Sequence, residues 1–383
     1  MMDNDRGKPP DWAPADGGDA FAVSIRRGVA GGHDGLSPET RNAAKSAEAP
    51  RAPSLTTDEH VRGVLEKDRG VLARTITLIE SNAPRHQAAA REVLNALLPH
   101  AGKSLRVGIT GVPGAGKSTL IETLGLYLIE QGHRVAVLAV DPSSSVTRGS
   151  ILGDKTRMEK LSRRPECFIR PSPSGGTLGG VARKSRETIL VCEAAGFDVI
   201  LVETVGVGQS EITVRSMVDF FLLLMIAGAG DELQGIKKGV VEIADALVVN
   251  KADGDNLARA QAARSEYALA LKYLTPATPG WQPRASTVSA LTGSGVPEIW
   301  KMVEEFAELT RNSGEFSHRR RHQAEQWVFA LIEEHLKNTF FRDPRIQAAI
   351  PEIHRRIDKG EILPTAAAEH LLDLFASEPE IRE

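Results

Sequence analysis

The sequence lacks most features that mark secreted or membrane-spanning proteins. Only two cysteines occur, Cys167 and Cys192, and their distance along the chain argues against a disulfide framework and against a Cys-x-x-Cys metal site. The longest apolar run, around Phe220–Ala229, is too short to span a bilayer. The N-terminus carries Asp3 and Asp5 and has no apolar stretch that would form a secretory signal. These absences predict a cytoplasmic protein that does not associate with membranes.

Strong charge of one sign is also missing. The 47 Lys and Arg residues nearly balance the 50 Asp and Glu residues, which leaves a formal net charge of −3. This balance gives no reason to expect a nucleic-acid partner, which would favour a basic surface. Aromatic residues make up only 5% of the chain, so the core has to consist mainly of Val, Ile, Leu and Ala.

The pattern of residues changes three times along the chain. Residues 1–55 are rich in Gly, Pro, Ala, Asp and Ser and predict a disordered tail, with a partner-binding arm as the alternative. Residues 56–103 have helical spacing of apolar side chains and predict an N-terminal helical segment. Residues 104–312 alternate short apolar strands with helical stretches. Residues 313–383 are helical throughout, and we expect them to pack back on the chain or to pair with a second copy.

The alternating region predicts an α/β fold. Its strands are nearly continuous apolar runs, which is typical of a mostly parallel sheet covered by helices on both faces. The predicted strands are Val107–Thr110, Val135–Val140, Cys167–Arg170, Val199–Glu203, Phe220–Ile226, Ala246–Asn250 and Ser286–Ser289.

A glycine-rich segment follows the first of these strands. It reads Gly111-Val-Pro-Gly-Ala-Gly116-Lys117-Ser118 and matches the P-loop pattern G-x-x-x-x-G-K-S, so the fold is predicted to be that of a P-loop NTPase. We expect Lys117 to reach the β- and γ-phosphates as a catalytic residue, and the hydroxyl group of Ser118 to bind Mg²⁺. A glycine-rich turn without a ligand is the alternative. The predicted nucleotide-binding residues here are Gly111, Val112, Pro113, Gly114, Ala115, Gly116, Lys117, Ser118 and Thr119.

Acidic residues near the ends of two later strands predict the rest of the magnesium site. Glu203-Thr-Val-Gly206 closes one strand, so Glu203 is expected to act through the metal or its water, and the N–H group of Gly206 to contact the γ-phosphate. Asp141 follows the strand Val135–Val140, and Asp154 comes thirteen residues later. Both are candidates for the outer shell of the metal, because Mg²⁺ keeps several waters and uses few carboxylates. A surface acid is the alternative for Asp154.

The choice of base is predicted by Asn250-Lys251-Ala252-Asp253. The carboxylate of Asp253 can accept hydrogen bonds from N1–H and the 2-amino group of guanine, whereas adenine offers neither donor, so GTP is favoured over ATP. The stem of Lys251 can cover the base, and Asn250 can brace the loops. Ser289-Ala290-Leu291, after the last strand, supplies a backbone N–H group suited to guanine O6.

The hydrolytic water has no obvious partner in the sequence. Many GTPases place Gln directly after the glycine that corresponds to Gly206, but this position is Val207, and Gln209 comes two residues later. Arg157 and Lys237 are the candidates for stabilising charge in the transition state. Slow basal hydrolysis is therefore expected, with acceleration by a partner that supplies or orders the missing group.

Taken with four further segments, the P-loop makes the chain resemble the MeaB (ArgK) family of GTPases over about residues 57–340. These segments are Val-Asp141-Pro-Ser-Ser, Gly153-Asp154-Lys-Thr-Arg157, Glu203-Thr-Val-Gly206-Val-Gly-Gln-Ser and Gly230-Asp231-Glu232-Leu-Gln234-Gly-Ile-Lys237-Lys238. The resemblance implies a homodimeric G protein that serves an adenosylcobalamin-dependent methylmalonyl-CoA mutase or a related acyl-CoA mutase. In such a protein the nucleotide state governs the loading of intact cofactor and the removal of damaged cofactor.

The same resemblance implies two sets of site residues. The magnesium site corresponds to Ser118, Asp141, Asp154 and Glu203. A switch that contacts the mutase corresponds to Asp231, Glu232, Gln234, Lys237 and Lys238. From the residues alone, this crowded polar stretch between two strands predicts either a loop that senses nucleotide or partner, or an ordinary solvated loop.

Two other functions stay open. The ArgK name implies a kinase linked to amino-acid transport, although no separate motif for a kinase substrate pocket is present. A metal-delivery GTPase would use soft or imidazole ligands at short spacing. His318 and His322 form the only close pair of histidines, and their place among Arg319–Arg321 predicts a solvated basic turn instead.

Overall fold

The computed structural model describes residues 55–140, 158–171, 178–204, 210–228 and 238–377, with the backbone alone described at positions 178, 179, 210 and 238. These residues lie in one structural unit that begins at Leu55. No helix in these ranges is both long enough and apolar enough to cross a membrane.

A sheet of seven parallel strands forms the centre of this unit. Its spatial order is β3-β2-β4-β1-β5-β6-β7. The strands are β1 (Leu105–Gly111), β2 (Val135–Val140), β3 (Cys167–Arg170), β4 (Val199–Thr204), β5 (Phe220–Ile226), β6 (Ala246–Asn250) and β7 (Arg284–Thr287). Every residue of β2, β4 and β6 is buried, because helices cover both faces of the sheet. The predicted α/β fold of the P-loop class is thereby confirmed.

Helices connect the strands and cover the sheet. They are α4 (Lys117–Glu130), α5 (Glu159–Ser162), α6 (Leu178–Ala194), α7 (Ser210–Arg215), α8 (Lys238–Glu242), α9 (Leu257–Leu271) and α10 (Val296–Ser313). The apolar side of α10 places Ile299, Val303 and Phe306 in the core, where the ring of Phe306 meets those of Phe220 and Trp281 edge-on. Edge-to-face contacts are favourable because the face of an aromatic ring is partially negative and its edge is partially positive.

Three helices precede the sheet: α1 (Thr57–Leu65), α2 (Arg69–Glu80) and α3 (Pro84–Leu97). Thr56 and Glu59 form a capping box at the start of α1, which satisfies backbone N–H groups that have no partner within the helix. Asp68 accepts hydrogen bonds from the first turn of α2, and Pro84 occupies the first turn of α3. All three helices pack against α6.

The C-terminal segment consists of α11 (Glu315–Arg342), α12 (Pro344–Asp358) and α13 (Pro364–Ala376). Helix α11 lies along α6, and only Gln323 of its 28 residues is buried. Four apolar side chains of α11, namely Val328, Phe329, Ile332 and Leu336, are instead about half or more exposed. At 3.6 residues per turn these four lie on the face opposite to Gln323 and Trp327.

The start of α11 is held by ion pairs at the amino ends of the central strands. Arg320 donates to both carboxylate oxygens of Asp219, at 2.7 and 2.6 Å, and to the carbonyl oxygens of Gly102 and Ser104, both at 2.7 Å. Arg319 donates to the carbonyl oxygen of Asp219 at 2.6 Å. The predicted solvated basic turn was therefore partly wrong. His318 and His322 are exposed, but they lie on a helix, and Arg319 and Arg320 are mostly buried by their tertiary partners.

Candidate functional site

The segment between β1 and α4 curls back on itself at two glycines. Gly114 has a φ angle of +75°, and Gly116, the residue that caps α4, has a φ angle of +88°. Such left-handed conformations are readily available only to glycine. The helix consequently begins at Lys117 with the free N–H groups of its first turn at the carboxyl ends of the strands, an arrangement suited to anions.

Two glycines of this segment also lie against neighbouring strands. A Cβ atom at Gly111 would overlap the carbonyl oxygen of Leu224 on β5, and one at Gly116 would lie 2.6 Å from Nδ2 of Asn250 at the end of β6. The sequence therefore requires glycine here for close packing as well as for backbone conformation.

Lys117 folds back over the loop. Its Nζ atom donates to the carbonyl oxygens of Gly111, at 2.9 Å, and Val112, at 3.3 Å. Burial lowers the pKa of Lys117, against a smaller opposite effect of the Glu203 and Glu211 carboxylates. A bound polyphosphate would favour the charged amine, so the ammonium group is available to pair with phosphate oxygens.

Ser118 and Glu203 meet beside the loop. The hydroxyl group of Ser118 donates to Oε1 of Glu203 at 2.9 Å, and the Glu203 side chain is buried at the carboxyl end of β4. Next to it, Thr204 donates to the hydroxyl oxygen of Thr110 on β1 at 2.8 Å. A hydroxyl group and a carboxylate are hard oxygen ligands of the kind that Mg²⁺ prefers, so this pair fits a magnesium ion.

Asn250 joins the two loops at the end of the sheet. Its Nδ2 atom donates to the carbonyl oxygen of Ala115 at 2.7 Å, and its Oδ1 atom accepts from the N–H group of Ala290 at 3.0 Å. The side chain is buried and uses both ends of its amide. One residue at the end of β6 thus fixes the distance between the glycine-rich loop and the loop after β7.

Asp253 lies beside the second loop. The hydroxyl group of Ser289 donates to Oδ2 of Asp253 and accepts from the N–H group of Thr292 at 3.1 Å. Lys251 has a φ angle of +61°, a strained conformation for a residue with a Cβ atom. The carbonyl oxygen of Lys251 accepts from Asn256 at 2.7 Å, which holds this turn in place.

These residues surround a cavity of about 280 Å³. It is lined by Gly116, Thr119, Asn250, Lys251, Asp253, Ala290 and Leu291. Polar groups line it from three different loops while Leu291 forms an exposed apolar wall, as expected of a pocket for a planar polar ring.

The structure brings together the predicted residues of the glycine-rich loop with Glu203, Asn250, Lys251, Asp253 and Ser289–Leu291. Their assigned roles stay predictions. Asp141, Asp154, Arg157, Gly206, Asp231, Glu232, Gln234 and Lys237 lie outside the described residues. Lys238 is the first residue of α8, and its side chain is not described.

Thr123 was missed by sequence reasoning. Its hydroxyl group is placed 2.7 Å from the carbonyl oxygen of Ala290 and 3.0 Å from that of Thr119, so the first turns of α4 also hold the loop after β7. A threonine within a helix carries no sequence signal for this contact, because the partner lies 167 residues away.

Comparison with known proteins agrees with this geometry. The family model described as "Methylmalonyl Co-A mutase-associated GTPase MeaB" matches residues 72–345. The chain belongs to the MeaB family. Members of this family are GTPases, and so is this chain.

Several MeaB relatives cover most of the chain. A putative GTPase of Caulobacter vibrioides is 53% identical over 84% of this chain and 99% of its own length. GTPase ArgK of Escherichia coli is 51% identical over 75% of this chain and 86% of its own length. The mitochondrial methylmalonic aciduria type A homolog of Mus musculus is 46% identical over 84% of this chain and 80% of its own length.

The fold of this MeaB protein also matches a solved structure. The crystal structure of a LAO/AO transport system kinase superposes with a TM-score of 0.69 at 39% identity, and the match covers 85% of this chain and all of that one.

Proposed function

We propose that the site described above binds GTP with Mg²⁺. Residues 111–119 and the N–H group of Gly206 surround the phosphates. Asp253 pairs with N1–H and the 2-amino group of guanine, while the stem of Lys251 covers the ring. The backbone of Ser289–Leu291 contacts guanine O6. Asn250 carries this proposal, because its hydrogen bonds to Ala115 and Ala290 set the phosphate loop and the base loop at one fixed separation.

Ser118 and Glu203 are the described residues that we expect to hold Mg²⁺, Ser118 directly and Glu203 through water. Asp141 and Asp154 complete the proposed set. When bound, the ion supplies positive charge at the β- and γ-phosphates. Lys117 would leave the carbonyl oxygens of Gly111 and Val112 for the same phosphates, so that its ammonium group follows the charge that develops during transfer.

For the biological role, we propose a G-protein chaperone of an adenosylcobalamin-dependent methylmalonyl-CoA mutase or a related acyl-CoA mutase. Nucleotide state would control the loading of cofactor and the protection or reactivation of the mutase. The family description and the mouse relative support this partner. Asp231, Glu232, Gln234, Lys237 and Lys238 are proposed to form the switch that contacts it, with Arg157 or Lys237 stabilising charge in the transition state.

A homodimer is proposed for the same protein. The exposed apolar side chains of α11, which include Phe329 and Leu336, form a face on the side away from α6. A second copy could bury this face, and apolar surface of this kind favours association. Leu336→Glu should shift the molar mass in light scattering from that of a dimer to that of a monomer without loss of GTP binding. A dimeric Leu336→Glu variant would place the interface elsewhere.

The mutase role is tested by steady-state phosphate release with and without purified methylmalonyl-CoA mutase. Basal hydrolysis should be slow, and the mutase should accelerate it, by as much as roughly 10³–10⁵-fold if it supplies a missing charged group. The Lys117→Ala variant should not hydrolyse GTP, either alone or with the mutase present. The chaperone role is wrong if no adenosylcobalamin-dependent acyl-CoA mutase changes the rate or binds in a nucleotide-dependent manner.

A kinase role is the second candidate, because the solved relative is described as a LAO/AO transport system kinase. Transfer of the γ-phosphate from labelled GTP to a periplasmic amino-acid-binding protein would support it. Metal delivery is less well supported, since burial raises the pKa of both Cys167 and Cys192 and so disfavours the thiolate that binds metal.

A further inference from the structure

Helices α6 and α11 enclose a cavity of about 380 Å³ at the opposite end of the sheet from the GTP site. We call it the Arg186 cleft and define it by Arg106, Arg186, Leu190, Met217, Ala324 and Trp327. Arg106 is the second residue of β1, whereas the glycine-rich loop follows the end of that strand. The five residue steps from Arg106 to Gly111 separate the two sites by about 17 Å.

The charges around the cleft do not cancel. Arg106 pairs with Glu193 at 2.9 Å, and Arg320, which also lines the cleft, pairs with Asp219. Arg186 contacts no carboxylate of the residues that the structure describes. One guanidinium group in this cluster therefore lacks a counter-anion, and burial of an uncompensated charge is costly.

Neutral groups hold Arg186 in position. It donates to the carbonyl oxygen of Ser216 at 2.7 Å, to the Ser216 hydroxyl oxygen at 2.8 Å and to the carbonyl oxygen of Gln323 at 3.2 Å. A guanidinium group has five N–H donors, so two are left for a further acceptor. Burial and the charge of Arg106 together lower the pKa of Arg186 to about 10, which is the result expected when no anion faces it.

Glu193 and Gln323 also line the cleft, and most of its other walls are apolar. Leu190 and Ile189 of α6 face Ala324 and Trp327 of α11 across the space. The guanidinium group of Arg186 lies 5.5 Å from the centre of the Trp327 ring, so the charged and apolar parts of the cleft adjoin. A cavity with one unpaired cation and hydrocarbon walls suits a ligand that has both an anionic head and an apolar body.

We propose that the Arg186 cleft binds a small organic anion. Its carboxylate or phosphate group pairs with Arg186, and its hydrocarbon part lies against Leu190, Ala324 and Trp327. The cleft is separate from the GTP site and does not depend on the assignment of a mutase partner. Arg186 donates hydrogen bonds to Ser216, which follows α7, and to Gln323 of α11. A ligand bound to Arg186 would therefore be connected to both of these elements through one side chain.

The test uses hexanoate as the probe on the full chain, with binding measured by isothermal titration calorimetry. Hexanoate should bind at millimolar concentration, while hexanol lacks the charge and acetate lacks the apolar body, so both should bind at least roughly tenfold more weakly. Saturating GDP should leave hexanoate binding unchanged. Equal binding of hexanol and hexanoate, or competition by GDP, would overturn the proposal, and this comparison needs no variant.

Two substitutions locate the probe. Arg186→Gln should weaken hexanoate binding roughly tenfold or more, because charge-assisted hydrogen bonds are lost. Arg183→Gln is the matched control, since Arg183 lies one turn earlier on α6 and borders only the neighbouring cavity, which Arg186 and Trp327 also border, and not the cleft itself. Hexanoate should also change the tryptophan fluorescence of the wild type and not that of Trp327→Phe. Equal weakening by both arginine substitutions, or a fluorescence change retained in Trp327→Phe, would contradict the assigned position.

Discussion

Gly116 has no room for a side chain in the structure. Its φ angle is +88°, and a methyl group there would lie 2.6 Å from Nδ2 of Asn250. We predict that Gly116→Ala displaces the Asn250 amide and lowers GTP affinity at least roughly tenfold, since the contact with Ala115 would be lost. Fluorescent GTP-analogue titration measures the effect.

Gly132→Ala is the control for this substitution. Gly132 has a similar φ angle of +92° but nothing within 4 Å of the added Cβ atom. It should lose a comparable amount of stability from backbone strain and keep its GTP affinity. If both variants bind GTP equally well, the Asn250 contact does not matter for the nucleotide.

Asp253 decides the base in our assignment. In Asp253→Asn, one acceptor oxygen becomes an amide donor, which matches the carbonyl at position 2 of xanthine and not the amino group of guanine. We predict a loss of GTP affinity of roughly tenfold to a hundredfold and a gain for xanthosine triphosphate. Competition binding with both nucleotides measures the change, and Asp255→Asn, at an exposed position two residues later, should alter neither.

At the scale of elements, the hold of α11 on the sheet depends on Arg320. Its side chain is only 16% exposed, and replacing it with Met leaves the buried Asp219 carboxylate without its bidentate partner. We predict that Arg320→Met lowers the free energy of unfolding by about 3–5 kcal/mol, as for other broken buried pairs. Urea denaturation measures it.

Arg163→Ala provides the comparison. Arg163 also pairs with a carboxylate, that of Glu159, but both side chains are mostly exposed. Its removal should cost less than about 1 kcal/mol, because water screens exposed pairs. A similar loss for both variants would mean that the Asp219 pair contributes no more than a surface pair.

Elements whose signal is local could be predicted from the sequence. β2, β3, β5 and β6 have the predicted bounds, since each is an apolar run ended by polar or glycine-rich sequence. β7 starts two residues earlier than predicted, at Arg284. It pairs with β6 alone, and a strand at the edge of the sheet can carry an exposed arginine that breaks the apolar pattern.

Contacts between distant residues could not be predicted in the same way. The sequence pointed to Asn250 as a brace, but its acceptor and donor partners come from positions 135 and 40 residues away. Arg186 carried no signal at all, because an arginine in an amphipathic helix usually faces water. Contacts with Ser216 after α7 and with Gln323 of α11 cover it, and packing of that kind depends on the whole fold.

At the scale of the whole molecule, the reactivity of the two cysteines shows whether the sheet and the helices that cover it stay folded. Burial raises the pKa of the Cys167 thiol from 9.0 to about 12 and raises that of Cys192 as well. Each pKa unit lowers the thiolate fraction about tenfold, and the thiolate is the reactive form. We predict almost no reaction of the native chain with a thiolate-directed reagent at about pH 8.

Unfolding in guanidinium chloride should expose both thiols and restore their ordinary pKa. If the reagent releases one chromophore for each thiol that reacts, the absorbance should then correspond to two equivalents per chain, the number of cysteines in the sequence. Rapid reaction of one equivalent in the native chain would mean that α6 or β3 opens without global unfolding.

The strand order has a consequence for synthesis on the ribosome. β1 lies between β4 and β5, so the chain must extend from Gly111 to Val199 before β1 has any neighbour in the sheet. At about 5–20 residues per second, this delay of about 90 residues lasts about 4–18 s. During that time β1 has emerged without a hydrogen-bonding partner, and β2 can pair only with β3. The glycine-rich loop forms its contact with Asn250 later still. The nascent chain therefore offers an extended apolar segment to ribosome-bound chaperones well before it can bind nucleotide.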